Sequence, residues 1–193
     1  MALDQPANLL GALSLLITDR MADAMAEAGG RPESGAAALC GLLHFLDRPS
    51  VDRLRQVLGL TSSGTVRLGD RLVALGYVRR GPGTDGRSTA VELTVLGHNA
   101  ATGVAGARAS VLDDALAALP AAEREEFGRL AGKVLASLIR PPGATRWICR
   151  LCDTGTCRGA EGGCPVGNAA RERFAAEPSG VSGLAGGAAE PRP

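Results

Sequence analysis

Aromatic residues are nearly absent from this chain. Five of 193 residues are Phe, Trp or Tyr, about 3%. The core must therefore be built from Leu, Val, Ala and Ile, which favours helices closed by aliphatic contacts over a broad stacking surface for sugars or bases. Lysine is almost missing too, Lys133 being the only one, so cationic surface has to come from arginine. No run of about eighteen apolar residues occurs, and the leading MALDQPANLL has no basic segment ahead of an apolar one. A cytoplasmic protein with no membrane partner is the expectation. Neither a nucleophile elbow, nor a Gly-rich phosphate loop before a Lys, nor a His pair at helical spacing is found, which argues against an enzyme. The formal charge of +1 decides nothing about nucleic acid, because it is the distribution of charge that matters.

What is present is helical periodicity. From Asn8 to Ala28, residues Leu9, Leu10, Leu13, Leu16, Ile17, Met21 and Met25 recur at three and four, ending at Gly29-Gly30. A second helix starts near Ser34, runs through Ala37, Leu39, Leu42, His44 and Phe45, and stops before Pro49. Ser50 caps a short third helix with Val51, Leu54, Val57 and Leu58, closed by Gly59, with Asp52 suiting its positive end. The hydroxyls of TSSG cap a fourth, starting near Ser63, with Val66, Leu68, Leu72 and Leu75, ending at Gly76. Two short helices across a four-residue turn have helix-turn-helix spacing. YVRR, the Gly-rich GPGTDG and the alternating STAVELT then form a hairpin wing, with Arg79, Arg80 and Arg87 at or near its tip.

Between residues 52 and 87 the chain carries seven arginines, at 53, 55, 67, 71, 79, 80 and 87, against Asp52, Asp70 and Asp85. A recognition helix in the major groove needs exposed donors, and Ser62, Ser63, Thr65, Arg67 and Arg71 are the candidates. Arg67 suits a guanine edge, whereas Ser63 and Thr65 suit phosphate. Asp70 repels phosphate unless an arginine pairs with it. Arg79, Arg80 and Arg87 complete the basic set, with Arg87 reaching toward the minor groove and Asp85 bracing the wing. Gly64 is unusual within a helix and costs least in the first turn.

From Val95 to about Leu119 the pattern is helical again, weakened by Gly97, Gly103 and Gly106. After Pro120 another helix carries Phe127, Leu130, Val134, Leu135, Leu138 and Ile139 up to Pro141-Pro142. These readings give a mainly α protein with a small β-hairpin wing: a winged helix-turn-helix with flanking helices and a Cys-rich C-terminal extension. Residues 1–140 form the DNA-binding domain, 141–175 the extension, and 176–193 a tail too poor in large apolar groups to fold.

RLGDRLVALGYVRRGPGTDGRSTAVELTVLG, residues 67–97, resembles the signature of the MarR family of bacterial winged-helix regulators. The shared elements are Asp85-Gly86-Arg87 in the wing and Leu93-Thr94-Val95-Leu96-Gly97 after it. The resemblance spans roughly residues 5 to 140. It implies a homodimer joined through its N- and C-terminal helices, here Leu9 to Met25 and Phe127 to Ile139, which adds dimerisation to the role of residues 1–140. It also implies a pseudo-palindromic double-stranded DNA operator, commonly repression, and release by a small-molecule or redox effector. A winged helix that docks protein without reading DNA is the alternative.

The extension lies outside that resemblance. Cys149, Cys152, Cys157 and Cys164 are spaced C-x2-C-x4-C-x6-C, and Gly155, Gly159, Gly162 and Gly163 let so short a backbone turn. Four thiolates can surround one zinc ion. An iron–sulfur cluster is the alternative, since four thiolates serve it equally and Cys164-Pro165 is like a cluster-binding cysteine, although the tight Cys-x2-Cys-x2-Cys run is missing. Such a site either stabilises or senses metal and oxidants. Cys40 reads as a small buried hydrophobe, and His44 and His98 as remote from the cluster.

Overall fold

A computed structural model of the chain describes residues 3–29, 33–44, 46, 48–83, 88–140, 148–159 and 163–174, with backbone alone for Glu33, Cys157 and Arg158. Helix α1 spans Gln5–Glu27, capped by Asp4, whose carboxylate accepts from the Ala7 amide at 2.9 Å. Then follow α2 (Glu33–His44), α3 (Val51–Leu58), α4 (Ser62–Ala74), β1 (Val78–Pro82), β2 (Thr89–Leu93), α5 (Val95–Leu116) and α6 (Ala121–Ser137). A 3-10 turn (Cys149–Leu151), α7 (Thr154–Gly159) and α8 (Pro165–Phe174) make up the extension.

Small and aliphatic residues place α2 at the centre. Residues 35–41 are all buried, because Gly and Ala let neighbouring helices approach from several sides. Helix α5 crosses both α1 and α2, and its Ala101 and Val104 meet Leu39 and Cys40 of α2, Met25 of α1, and Leu54, Leu68 and Leu72 of α3 and α4 in one core. Despite its glycines α5 is unbroken, since tertiary packing outweighs a propensity deficit of about 1 kcal/mol per residue.

Two expected stripes divide. On α1, Met25 is buried and Met21 packs against the core, whereas Leu9, Leu10, Leu13 and Leu16 remain exposed. On α6 and just beyond, Phe127, Leu130, Val134, Leu135 and Leu138 are exposed, but Ile139 is buried with Val166 of α8 in a second small core. Met25 and Ile139, both expected at the dimer seam, instead fill cores within the chain. Phe45, Pro141-Pro142 and the 176–193 tail lie outside the described residues. Among the described residues no helix is long and apolar enough to cross a membrane.

Candidate nucleic-acid interface

The turn between α3 and α4 follows from three residues. Ser50 caps α3, its hydroxyl accepting from the Arg53 amide at 3.1 Å. Gly59 closes α3 in the left-handed region at φ 67°, where a side chain would be strained. Thr61 caps α4, accepting from the Gly64 amide at 3.1 Å, so Gly64 lies in the first turn.

Helix α4 buries Thr65, Leu68, Gly69 and Leu72, at i, i+3, i+4 and i+7. Ser62, Ser63, Val66, Arg67, Asp70 and Arg71 stand exposed. Thr65 therefore departs from expectation. It is 2% exposed and its hydroxyl donates to the Thr61 carbonyl at 3.0 Å, so it packs α4 onto the core and offers nothing to phosphate.

Strands β1 and β2 pair antiparallel in the register Val78↔Leu93 to Pro82↔Thr89, and Val91 also donates to the Pro49 carbonyl at 2.9 Å, tying the wing to the start of α3. Arg79 and Arg80 stand opposite Glu92 and Val91 near the base of this hairpin, not at its tip. Both are engaged. Arg79 pairs with Glu92 at 2.6 Å, and Glu92 also holds Arg48. Arg80 reaches across α4 over Gly69 to Asp70 at 2.8 Å, where only a hydrogen at Gly69 leaves room for the guanidinium. Asp70, a liability beside phosphate, is thus neutralised from the wing. Arg67 and Arg71 make no ion pair among the described residues. Asp85, Gly86 and Arg87 lie outside the described residues.

This arrangement has counterparts. A MarR family protein from Bacillus stearothermophilus superposes with a TM-score of 0.59 at 22% identity, over 69% of this chain and 96% of that one. MepR, a transcription regulator of the Staphylococcus aureus multidrug efflux pump MepA, gives 0.59 at 17%, over 68% and 97%. YusO from Bacillus subtilis gives 0.57 at 22%, over 69% and 97%. The fold is a MarR-type winged helix-turn-helix. No protein-family model and no curated protein matches the sequence.

The share of the chain that is covered leaves room for the extension outside the common fold. There the structure brings together residues that sequence distance hid. The Thr154 hydroxyl donates to the His44 carbonyl at 2.9 Å, and Asp153 stands 3.8 Å from His44 Nδ1. His44 is thus a neighbour of the cysteine unit, and no local signal could have found it. Cys149 hydrogen-bonds Cys152, and that bond, opposed by burial and helped by Arg108 and Arg150, brings the Cys152 thiol down to about 6. Burial pushes Cys40 up to about 11, against the pull of Arg108. Arg108 of α5 thus faces both sulfurs, and its Nε is buried without a hydrogen-bond partner among the described residues. Cys164 immediately precedes α8, and the Cys157 side chain lies outside the described residues. Among the described residues no three His, Cys, Asp or Glu side chains are grouped so as to hold a metal ion.

Proposed function

We propose that the chain is a homodimeric, DNA-binding transcription regulator that acts as a repressor in the cytoplasm. The observation that carries this is the pair Arg67 and Arg71 on the exposed face of α4, without an ion-pair partner among the described residues, beside Arg79 and Arg80 of the wing, which are spent on Glu92 and Asp70. Arg67 can meet a guanine edge with two parallel donors, Val66 can meet a thymine methyl, and Ser62, Ser63 and Arg71 suit phosphate. Dimerisation is supported by the exposed leucines of α1 and the exposed Phe127, Leu130, Val134 and Leu135 of α6. Two exposed apolar stripes, each on one helix, are more than scattered surface apolar residues and suit an isologous seam with a second copy. Two copies then present two α4 helices to a pseudo-palindromic operator.

An effector has space in a cavity of about 610 Å³ between the end of α2, the wing and α5, lined in part by Leu42, Leu46, Arg79, Glu92 and His98. The exposed Val66 and Val73 favour the second reading, a winged helix that docks protein.

The test selects preferred duplexes from a random pool with the full chain and measures binding to the winning duplex and to a scrambled one. Arg67→Ala should weaken specific binding by about 1–3 kcal/mol, roughly 5- to 150-fold, while leaving the fold intact. Arg71→Ala should weaken both duplexes alike and reduce the salt slope by about one. Equal binding of both duplexes by the wild-type chain, untouched by either substitution, would favour the protein-docking alternative.

A further inference from the structure

The extension stands on two footings. Its first part rests on the winged-helix body: Leu151 packs against the main core, and Thr154 is bonded to the His44 carbonyl at the end of α2. Its last part rests on α6. Val166 of α8 packs with Ile139, Pro165 lies over Gly132, where a Cβ would come within 2.8 Å of its ring, and Arg173 donates to the Ser137 carbonyl at 3.5 Å. Helix α6 packs chiefly against α8, so the extension is a main tie between α6 and the body.

The cysteines divide between the same two footings. Cys149 and Cys152 belong to the first, in and just after the 3-10 turn, and Cys164 begins the second. Cys149 and Cys164 both pack at the edge of the Ile139–Val166 cluster, although fifteen positions separate them. A side-chain hydrogen bond joins Cys149 and Cys152. Zinc–sulfur bonds of about 2.3 Å in a tetrahedron set neighbouring sulfurs about 3.8 Å apart, within the span of a sulfur hydrogen bond. A four-iron cluster takes each cysteine on a separate iron and holds the sulfurs farther apart. The described trio does not by itself enclose an ion, and Cys164 lies between Gly163, at φ 71°, and Pro165, just ahead of α8.

We propose that Cys149, Cys152 and Cys164, with Cys157 as the fourth sulfur by its place in the chain, bind one zinc ion that clips the α6–α8 limb to the winged-helix body. Four thiolates around Zn²⁺ leave a net charge of −2, and Arg108, with its buried unpartnered Nε beside Cys152, is placed to offset it. Because α6 bears part of the proposed dimer seam, the clip sets where that seam lies relative to α4; this consequence alone rests on the dimer reading.

The test uses the full chain purified without oxygen, with zinc, iron and sulfide measured per chain and a cobalt-exchanged sample examined for thiolate-to-metal absorption. The expected result is about one zinc per chain and no sulfide. Cys152→Ser and Cys164→Ser should each lower zinc retention at least about tenfold, while Cys40→Ala leaves it unchanged. Chelation should speed amide exchange in α8 by at least about tenfold. Reduced thiols without zinc, iron together with sulfide, zinc undiminished in Cys164→Ser, or α8 exchange indifferent to chelation would each overturn the proposal. If the serine variants fail to fold, metal content and the chelation experiment on the wild-type chain still decide. DNA binding, scored on the same samples, reports separately on the regulator reading.

Discussion

Replacing Gly97 by alanine tests how the wing is joined to α5. Thr94 caps α5: its hydroxyl accepts from the Gly97 amide at 2.9 Å and donates to the Gly76 carbonyl at 2.6 Å, while its amide donates to the Tyr77 carbonyl at 3.0 Å. The Tyr77 carbonyl is thereby drawn over the first turn of α5, and a Cβ on Gly97 would lie 1.7 Å from its oxygen. That atom is backbone and cannot swing aside. Displacing it costs about 1–3 kcal/mol of overpacking and about 1 kcal/mol for the strained Thr94–Tyr77 hydrogen bond. The gain in helix propensity offsets up to about 1 kcal/mol. The net loss is about 2 kcal/mol, a melting point lower by roughly 4–8 °C for a chain of this size. Gly103, exposed on the same helix with nothing within 4 Å of its would-be Cβ, is the control. Gly103→Ala should raise the melting point by roughly 2–4 °C, since only propensity changes there. Calorimetry of both variants at one protein concentration reads the two signs. If Gly97→Ala stabilises as Gly103→Ala does, the close approach of Tyr77 to α5 is wrong.

Three other outcomes are expected. The Cys40 thiol, pushed up to about 11 by burial, stays neutral in the fold while the unfolded chain ionises near 9. Its contribution, about 2 kcal/mol, is complete below pH 9 and lost as pH rises to 11, so urea melts at pH 8 and 10.5 should show a smaller fall for Cys40→Ala than for wild type. Glu92→Gln removes the charge that both Arg48 and Arg79 use on a carboxylate only 16% exposed; a loss of about 1–2 kcal/mol in low salt is expected, and no change in the denaturation midpoint would refute that role. Asp153 is held below the usual carboxylate range by the Thr156 hydroxyl and then by the amides of Gly155 and Thr156. That help is present above pH 4 and fades as pH falls, so Asp153→Ala should fray α7 at neutral pH, costing about 1 kcal/mol in amide protection of 154–159, and do little at pH 2.

Local rules made much of the fold legible. Ser50, Gly59 and Thr61 mark helix ends by interactions within three or four residues, so α3 and α4 could be bounded from the chain alone. Thr65 could not be placed, since a threonine on the flank of a helix reads the same whether it faces water or a core. Glu92 gave no signal in an alternating strand, yet it anchors two arginines from different segments. Arg80 and Asp70 look like independent surface charges until β1 folds back over α4. At the extension, spacing singled out Cys149, Cys152, Cys157 and Cys164, but the approach of His44 and Arg108 came from α2 and α5.

Sequence alone determined the element order, the helix-turn-helix, the hairpin and the density of arginine and cysteine, because caps, turns and periodicity act over a few residues. Tertiary structure decided which arginines are spent in ion pairs, where the α1 stripe changes from core to bare surface, and why Gly97 must be glycine. Those outcomes depend on which side chains and carbonyls arrive from distant segments, and close packing admits only one such arrangement at each point.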